Sequence, residues 1–344
     1  MLRIFHVPSH LTYVAKLTGT DFTPVDSPTG RPLLLSELAE LSRWDFFDVL
    51  HVHTVELATA DDLERVAGRA EHEGKGFVFT AHDLVPNIET DRFEFDLKTA
   101  LIIRRAGAVM TLTSTAAEQI ATVFGVPVSS VRVVPHGAAM PLSLVGSQST
   151  GGEVAALGAL RPNRDFLSLV RAWRLLPTPR PPLRLLIRSL KRADELRYEA
   201  VLNELEQVKR AVPEVTITTR PDVMPPDDLV SWCRPASLLV LPYSTITHSG
   251  QLELARDLGL RAVAPGVATL RSQLDEGPSS SVECFAPSDL ADPHQFAGHL
   301  QQALSRPAPA ARGTGLRDYR AAEHARIIDA HRDAYLSAIS PKKV

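Results

Sequence analysis

The stretch Leu157-Gly158-Ala159-Leu160-Arg161-Pro162-Asn163-Arg164-Asp165-Phe166 joins a buried-type strand, a short basic loop and the start of an amphipathic helix. A strand that leads through a short loop into a helix is the first half of a βαβ unit. On either side of residues 157–166, short apolar or β-branched runs alternate with amphipathic stretches of helix length. The chain is therefore predicted to form mostly parallel sheets covered by helices.

The first half of the chain is predicted to contain five strands with four helices between them. Strands are predicted over residues 2–7, 49–53, 76–80, 108–113 and 130–134, and helices over 33–41, 60–72, 93–105 and 114–124. Five parallel strands with intervening helices make one doubly wound domain of the Rossmann type.

A small, polar and glycine-rich segment at residues 140–153 is predicted to be an interdomain linker. After it the alternation restarts, with strands over 154–160, 183–189, 215–219, 238–242, 262–264 and 281–285, and helices over 166–176, 193–212, 227–233, 250–258 and 293–304. We therefore expect a first domain over 1–145 and a second Rossmann-like domain over 146–314. Residues 315–344 are helix-prone and are expected to pack on the body of the protein, with the first domain as candidate partner.

Composition narrows the class of protein. The chain has 344 residues and a formal net charge of −3, with no extended basic block, which disfavours nucleic acid as a partner. No apolar run approaches the ~20 residues of a membrane span, and the first residues do not have the pattern of a signal peptide. Cys233 and Cys284 lack metal-ligand spacing. These features predict a cytoplasmic protein without a membrane segment, and its oligomeric state is left open.

Two common enzyme classes are disfavoured by missing motifs. The first predicted strand runs into Pro8-Ser9-His10-Leu11-Thr12-Tyr13, without the G-x-G-x-x-G that brings a backbone close to a dinucleotide pyrophosphate. The chain also lacks G-x-x-x-x-G-K-[ST], so a P-loop phosphotransferase is not expected.

Histidines follow or end several strands of the first half. His51 and His53 share one strand face and could bind a metal or simply pack at the sheet end, and packing is the preferred interpretation. His82 ends a buried-type strand, where it could donate a hydrogen bond to a ligand, transfer a proton or cap a loop. His136 lies either in a ligand cleft or in a plain turn.

Two segments of the second half are candidates for binding an anion. Arg161 and Arg164 lie beside a helix N-terminus, an arrangement suited to a diphosphate, although a solvated basic turn is the simpler interpretation. The segment 241–252 brings hydroxyls, Ser249 and Gly250 to the start of another helix.

Six segments, taken in order, resemble the GT-B glycosyltransferases of the retaining family-4 type, which use sugar nucleotides. They are D-V-L-H-V-H at 48–53, F-T-A-H-D-L-V-P-N at 79–87, A-G-A-V-M-T-L-T-S-T at 106–115, V-V-P-H-G at 133–137, L-G-A-L-R-P-N-R at 157–164 and L-V-L-P-Y-S-T-I-T-H-S-G at 239–250. The resemblance implies an α/β fold in which two Rossmann-like doubly wound domains face a cleft.

The resemblance also implies roles for individual residues. His82 is the expected catalytic histidine near the donor sugar. The other expected contacts are with the donor diphosphate (Arg161, Arg164, Ser249, Gly250), with the donor sugar or nucleoside (His248, Gln251, Glu253), and with the acceptor or the cleft (His10, His53, Asp83, His136). The chain departs from the family pattern at Ala159, where an Arg is usual, at Leu254, where a ribose-binding Glu is usual, and after the first strand, where a glycine-rich loop is usual.

The expected activity is transfer of a sugar from a UDP- or GDP-sugar to a small-molecule or glycan acceptor, in natural-product or glycan biosynthesis. The resemblance implies a retaining hexosyltransferase that needs neither a metal nor another cofactor. Two alternatives remain open: a GT-B protein that has lost catalysis and serves as an accessory partner, and a sugar-nucleotide epimerase or hydrolase on the same fold.

Overall fold

A computed structural model describes residues 1–87, 91–147, 149–188, 196–307 and 313–339. The chain divides into two compact units, one of Met1–Gly137 with Ala322–Val344 and one of Ala138–Ala321. Among the described residues no helix is long and apolar enough to cross a membrane.

The first unit is built on a six-stranded parallel sheet of order β2-β1-β3-β4-β5-β6. Its strands are β1 (Leu2–Val7), β2 (Phe22–Pro24), β3 (Val49–Val52), β4 (Gly76–Ala81), β5 (Ala108–Thr111) and β6 (Val131–Val133). Its helices are α1 (Leu35–Glu40), α2 (Ala60–His72), α3 (Arg92–Arg105) and α4 (Ser114–Phe124).

The two faces of this sheet are buried in different cores, because alternate strand residues point to opposite sides. Phe5, Leu50 and Phe79 belong to one core. Ile4 and Val49 belong to the other, which also contains residues from the end of the C-terminal helix. Since side chains two positions apart share a face, His6 and His51 lie on this second face.

The second unit contains a six-stranded parallel sheet of order β12-β11-β10-β7-β8-β9. Its strands are β7 (Glu153–Ala159), β8 (Leu183–Arg188), β9 (Val215–Arg220), β10 (Ala236–Val240), β11 (Arg261–Pro265) and β12 (Val282–Phe285). Its helices are α5 (Phe166–Arg174), α6 (Glu199–Ala211), α7 (Pro226–Cys233), α8 (Gly250–Asp257), α9 (Ala268–Glu276) and α10 (Pro293–Ser305). Helix α11 (Gly313–Ile339) begins in this unit and ends in the first one.

The α/β doubly wound fold is confirmed, with two elements that the sequence analysis missed. Strand β2 is a three-residue edge strand, and helix α9 has polar residues on its buried side, including Ser272 and Gln273. Residues 189, 193–195 and 340, where predicted elements began or ended, lie outside the described residues.

The boundary between the units also differs from the expected 145/146, because the predicted linker packs on the second unit. Met140 and Val145 are buried in a core of that unit. The Asp257 carboxylate accepts hydrogen bonds from the backbone N–H groups of Ala139, at 2.7 Å, and Met140, at 3.2 Å. These contacts fix the segment and place the boundary between Gly137 and Ala138.

Candidate functional site

The second unit contains a pocket of about 270 Å³ at the carboxyl ends of β7, β8 and β9, where α/β sheets characteristically bind ligands. One part of its lining is cationic and another is apolar. The lining residues are Leu157, Gly158, Ala159, Arg161, Arg164, Leu186, Arg188, Arg220, Asp222, Val223, Met224, Leu229 and Gln251.

Arg164 is held in the pocket by two hydrogen bonds and an aromatic ring. It donates from Nη1 to the Ala159 carbonyl at 2.9 Å and from Nη2 to the Tyr243 hydroxyl at 2.8 Å. Its guanidinium also lies 4.8 Å from the Tyr243 ring centroid, within cation–π range. Burial lowers the pKa of Arg164, and the charge of Arg161 adds to the lowering.

Gly158 makes the position of Arg164 possible. Its φ of +128° is rarely adopted by residues with a side chain, and a Cβ atom would lie 1.7 Å from Arg164 Nη1. Any larger residue at position 158 would therefore displace the guanidinium.

Arg188 is a third guanidinium of this pocket, and the sequence analysis did not identify it. It ends β8 in register with Ala159 of β7. Burial, Arg161 and Arg164 all lower the pKa of Arg188. Within the described parts of the chain, no carboxylate forms an ion pair with Arg161, Arg164 or Arg188, whereas Arg220 pairs with Asp222 at 3.4 Å. Three cations with mutual repulsion and no described counter-charge suit an anionic ligand.

Helix α8 contributes Gln251 to the lining of the pocket, while Ser249 at its N-terminus forms hydrogen bonds within the protein. Gln251 reaches the pocket and donates to the Leu157 carbonyl at 2.7 Å. Ser249 caps the helix through its hydroxyl, which accepts from Leu252 N–H at 3.2 Å, and its own N–H donates to Gln273 Oε1 at 3.0 Å. The hydroxyl oxygen and the backbone N–H of Ser249 are thus both bonded within the protein. Ser249, Gly250 and His248 are not among the residues that line the pocket.

Glu253 lies in a buried ion-pair network instead of at the pocket. Its Oε1 accepts from Arg256 at 2.8 Å and from Gln273 at 2.6 Å, and its Oε2 accepts from Arg320 at 2.6 Å. Burial alone would raise the pKa of Glu253, but Arg256 and Arg320 outweigh it and lower that pKa. With both oxygens bonded, the predicted contact of Glu253 with a donor nucleotide has no support in its position.

The first unit contains a cluster of histidines on the sheet face described above. His6 Nδ1 lies 2.9 Å from His53 Nε2, and His53 Nδ1 lies 3.0 Å from His82 Nε2. His51 contacts Thr80 Oγ1 through Nε2 at 2.7 Å and the Tyr335 hydroxyl through Nδ1 at 3.0 Å. His53, predicted to line the acceptor cleft, is buried, and His82 is the half-buried member of this cluster.

His6, His51 and His53 place one nitrogen each within 4.8 Å of one another, close enough to consider a metal ion. Five of their six ring nitrogens already have hydrogen-bond partners in the protein, as the distances above show. A metal would have to displace several of these bonds, so the cluster fits a hydrogen-bonded network better than a metal centre.

Burial favours the neutral form of the three buried imidazoles of this cluster, those of His6, His51 and His53. It lowers the pKa of His6 to about 3 and the pKa values of His51 and His53 well below the ordinary value. Neighbouring histidines add to the lowering, because two protonated rings would repel each other.

The remaining residues predicted for the first unit are partly gathered around Tyr13. The Tyr13 ring lies 4.8 Å from the His82 ring and 5.5 Å from the His136 ring. Lys16 bonds His136 through the backbone carbonyl. Asp83 follows His82 and is half-buried, whereas His10 is exposed.

Comparison with known proteins agrees with this architecture. Residues 8–139 match the family model described as Glycosyltransferase Family 4. The chain has the GT-B fold of glycosyltransferases, and its first unit carries the family-4 match.

Among solved structures, HepE from Anabaena in complex with UDP and glucose superposes with a TM-score of 0.70 at 12% identity, over 98% of this chain and 100% of that one. A sucrose-phosphate synthase from Thermosynechococcus elongatus superposes with a TM-score of 0.61 at 16% identity, over 85% and 74% of the two chains. The lipopolysaccharide outer core galactosyltransferase WaaB gives a TM-score of 0.51 at 14% identity, over 88% and 78%. At these identities the likeness establishes the fold. No curated protein matches the chain by sequence.

Proposed function

We propose that this protein is a glycosyltransferase whose second unit binds the diphosphate of a nucleotide sugar. The observation that carries the proposal is the pocket in which Arg161, Arg164 and Arg188 converge without a described carboxylate partner. Apolar residues of the same pocket, among them Val223 and Met224, offer a surface for a nucleoside.

The chemistry of sugar transfer explains the need for these cations. Breaking the bond between the anomeric carbon and the diphosphate leaves negative charge on the departing oxygen while the sugar becomes oxocarbenium-like. Arg164, already fixed by Ala159 and Tyr243, stabilises that charge without further reorganisation. Arg188 supplies a guanidinium beside Ala159, the position at which the family pattern has its usual Arg. In this proposal no metal ion is required.

The sugar donor is proposed from the solved structures similar to this chain, and the stereochemistry of the reaction is proposed from the family resemblance. HepE is seen with UDP, with UDP and glucose, and with UDP-glucose, so a UDP-sugar is the first donor to test, with GDP-sugars next. The family-4 type supports a retaining reaction, with His82 of the first unit near the transferred sugar. We propose a small molecule or a glycan as acceptor and the cytoplasm as location.

A calorimetric titration with UDP, GDP, ADP and dTDP, in buffer containing EDTA, tests the donor site. We expect saturable binding of one nucleotide, and a loss of affinity of about 100-fold or more in the double variant Arg161→Ala/Arg164→Ala, since each hydrogen bond to a charged group contributes about 1.5–3 kcal/mol. Arg188→Ala should also lower the affinity for that nucleotide. Arg174→Ala is the matched control, because Arg174 is an exposed arginine of the same unit outside the pocket.

The accessory-protein alternative is favoured by Ala159 and by the engagement of Glu253 within the protein. It predicts that none of the four nucleotides binds. The epimerase or hydrolase alternative predicts that a bound UDP-sugar is consumed in the absence of any acceptor, which product analysis by chromatography would detect.

A further inference from the structure

Three imidazoles of the first unit form a linear hydrogen-bonded chain. His6 Nδ1 contacts His53 Nε2 at 2.9 Å, and His53 Nδ1 contacts His82 Nε2 at 3.0 Å. Each contact joins one nitrogen of one ring to one nitrogen of the next, so the rings are connected head to tail. The first two rings are almost completely buried, and the third is half-buried.

A neutral imidazole carries one proton, so it donates from one nitrogen and accepts at the other. Burial holds His6 and His53 neutral at ordinary pH. The donor in the first contact therefore fixes the donor in the second, and the chain has only two possible directions. Either every ring donates toward His82 or every ring donates toward His6.

The buried end of the chain distinguishes the two directions. His6 Nε2 is buried and has no hydrogen-bond partner among the described residues. If the chain pointed toward His6, that nitrogen would carry a buried N–H without an acceptor. If it points toward His82, the same nitrogen holds only a lone pair, and buried acceptors without a partner are more common in proteins than buried donors without one.

We propose that His6 and His53 are positioning residues that fix His82 as the tautomer with its proton on Nδ1. His6 Nδ1–H donates to His53 Nε2, and His53 Nδ1–H donates to His82 Nε2. His82 Nε2 is thereby occupied as an acceptor, and its Nδ1 is a hydrogen-bond donor.

His331, a neighbouring histidine, has its tautomer fixed by a backbone carbonyl, independently of the three-imidazole chain. His331 Nδ1 lies 2.8 Å from the Ile327 carbonyl, which can only accept, so Nδ1 carries the proton. Its Nε2, 3.2 Å from the Tyr13 hydroxyl, then accepts from that hydroxyl. This region of the core therefore sets histidine tautomers through fixed partners.

The use of this tautomer rests on the proposed function, in which His82 lies near the transferred sugar. An Nδ1–H group can donate to a sugar hydroxyl or a departing oxygen, whereas it cannot accept a proton at the same atom. The tautomer itself depends only on the first unit, so it is measured without any nucleotide or acceptor.

Long-range ¹H–¹⁵N correlation spectra of the full-length protein labelled with ¹⁵N-histidine, at mildly alkaline pH, report which ring nitrogen carries the proton. The His82 signals are assigned by their loss in His82→Asn. We expect His82 with Nδ1 protonated, in contrast to the exposed His72 on α2, whose ring follows the preference of free histidine for a protonated Nε2. A protonated Nε2 on His82 of the wild type would overturn the proposal.

Removing the donor tests the positioning role. His53→Phe replaces the imidazole by a ring of similar shape without nitrogen, and we expect the protonated nitrogen of His82 to change from Nδ1 to mainly Nε2. If this variant does not fold, His6→Phe leaves the His53–His82 contact in place but removes what sets its direction, and a mixture of tautomers is expected. A His82 tautomer unchanged in the folded variants would contradict the positioning role. Failure of nucleotide binding would leave all of these results intact.

Discussion

The first unit buries several imidazoles that are held neutral by burial, whereas the second unit buries a cluster of charged side chains that are paired with one another. His6 and His53 share a hydrogen bond in the first case, and Arg320 bonds Glu253 and Asp257 in the second. The pocket of the second unit differs from this network, because three of its arginines have no described acidic partner. The charges of the buried network are neutralised within the protein, whereas those of the three pocket arginines remain to be neutralised by a ligand.

The largest expected effect comes from breaking the buried network of the second unit. Arg320→Met leaves Asp257 and one oxygen of Glu253 without their cation, and we expect a loss of about 3–5 kcal/mol in the free energy of unfolding, as for other buried pairs that lose one partner. Urea unfolding followed by the fluorescence of Trp173 and Trp232 measures this. Arg317→Met on the same helix is the control, because Arg317 is exposed and makes one bond to the Val145 carbonyl. A loss below about 1 kcal/mol in both variants would show that the network does not stabilise the unit.

A smaller effect is expected when the ligand-facing charge is moved without being removed. Gly158→Ala places a Cβ against Arg164 Nη1 and should weaken nucleotide binding by about 10- to 100-fold, the contribution of one charged hydrogen bond. Gly152→Ala, where nothing lies within 4 Å of the added Cβ, should leave the affinity unchanged. Equal affinities for the two variants in the same titration would mean that Arg164 is not a ligand contact.

The two units should also respond to acid with opposite signs. In the first unit the folded pKa values of His6, about 3, and His331, about 4, lie below the ordinary value, so the unfolded state binds more protons and stability falls as the pH drops below about 6.5. In the second unit burial raises the pKa of Asp257 to about 6, so its contribution to stability is present at low pH and is lost as the pH rises through about 6.

Between about pH 7 and about pH 5, each histidine that remains neutral in the folded state makes unfolding easier by up to about 1.4 kcal/mol per pH unit. Trp44 is the tryptophan of the first unit, so its fluorescence in a Trp173→Phe/Trp232→Phe background follows that unit alone. We expect the urea midpoint of the first unit, followed by Trp44, to fall on acidification. The midpoint of the second unit, followed in the Trp44→Phe variant, should stay constant or rise. Parallel decreases in both would contradict the assigned difference.

The smallest effect concerns the hydroxyl that holds Arg164. Tyr243→Phe removes the 2.8 Å bond to Nη2 and keeps the ring under the guanidinium, so we expect nucleotide affinity to fall by less than about 10-fold, because the lost bond orients Arg164 and does not itself touch the ligand. Tyr243→Ala, which also removes the ring, should cost more. The order of the two affinities, measured by calorimetry, shows whether the ring or the hydroxyl orients the arginine.

Much of the fold could be predicted from the sequence, because strands buried on both faces and amphipathic helices have distinct periodicities. Helices α2 and α4 and strand β1 have the predicted ends. Strand β2 was missed because three residues at a sheet edge carry almost no pattern, and α9 was missed because its buried side includes Ser272 and Gln273.

The site was only partly predictable. Arg161 and Arg164 are close in sequence, so both could be predicted from one loop. Arg188 becomes visible only when the register of β7 and β8 places it beside Ala159. His6 likewise precedes His53 by 47 positions and meets it only because β1 and β3 are paired. The sequence motif also gave no sign that Glu253 and Ser249 form hydrogen bonds within the protein, because their partners Gln273 and Arg320 are distant in sequence.

Hydrogen–deuterium exchange of the full chain with and without UDP tests the central claim most directly, namely that Arg161, Arg164 and Arg188 of the second unit form the nucleotide site. We predict slower exchange in peptides that cover residues 157–166 and 220–229, and the loss of this protection in Arg161→Ala/Arg164→Ala. Protection that is confined to peptides of the first unit, or that persists in the double variant, would contradict the account.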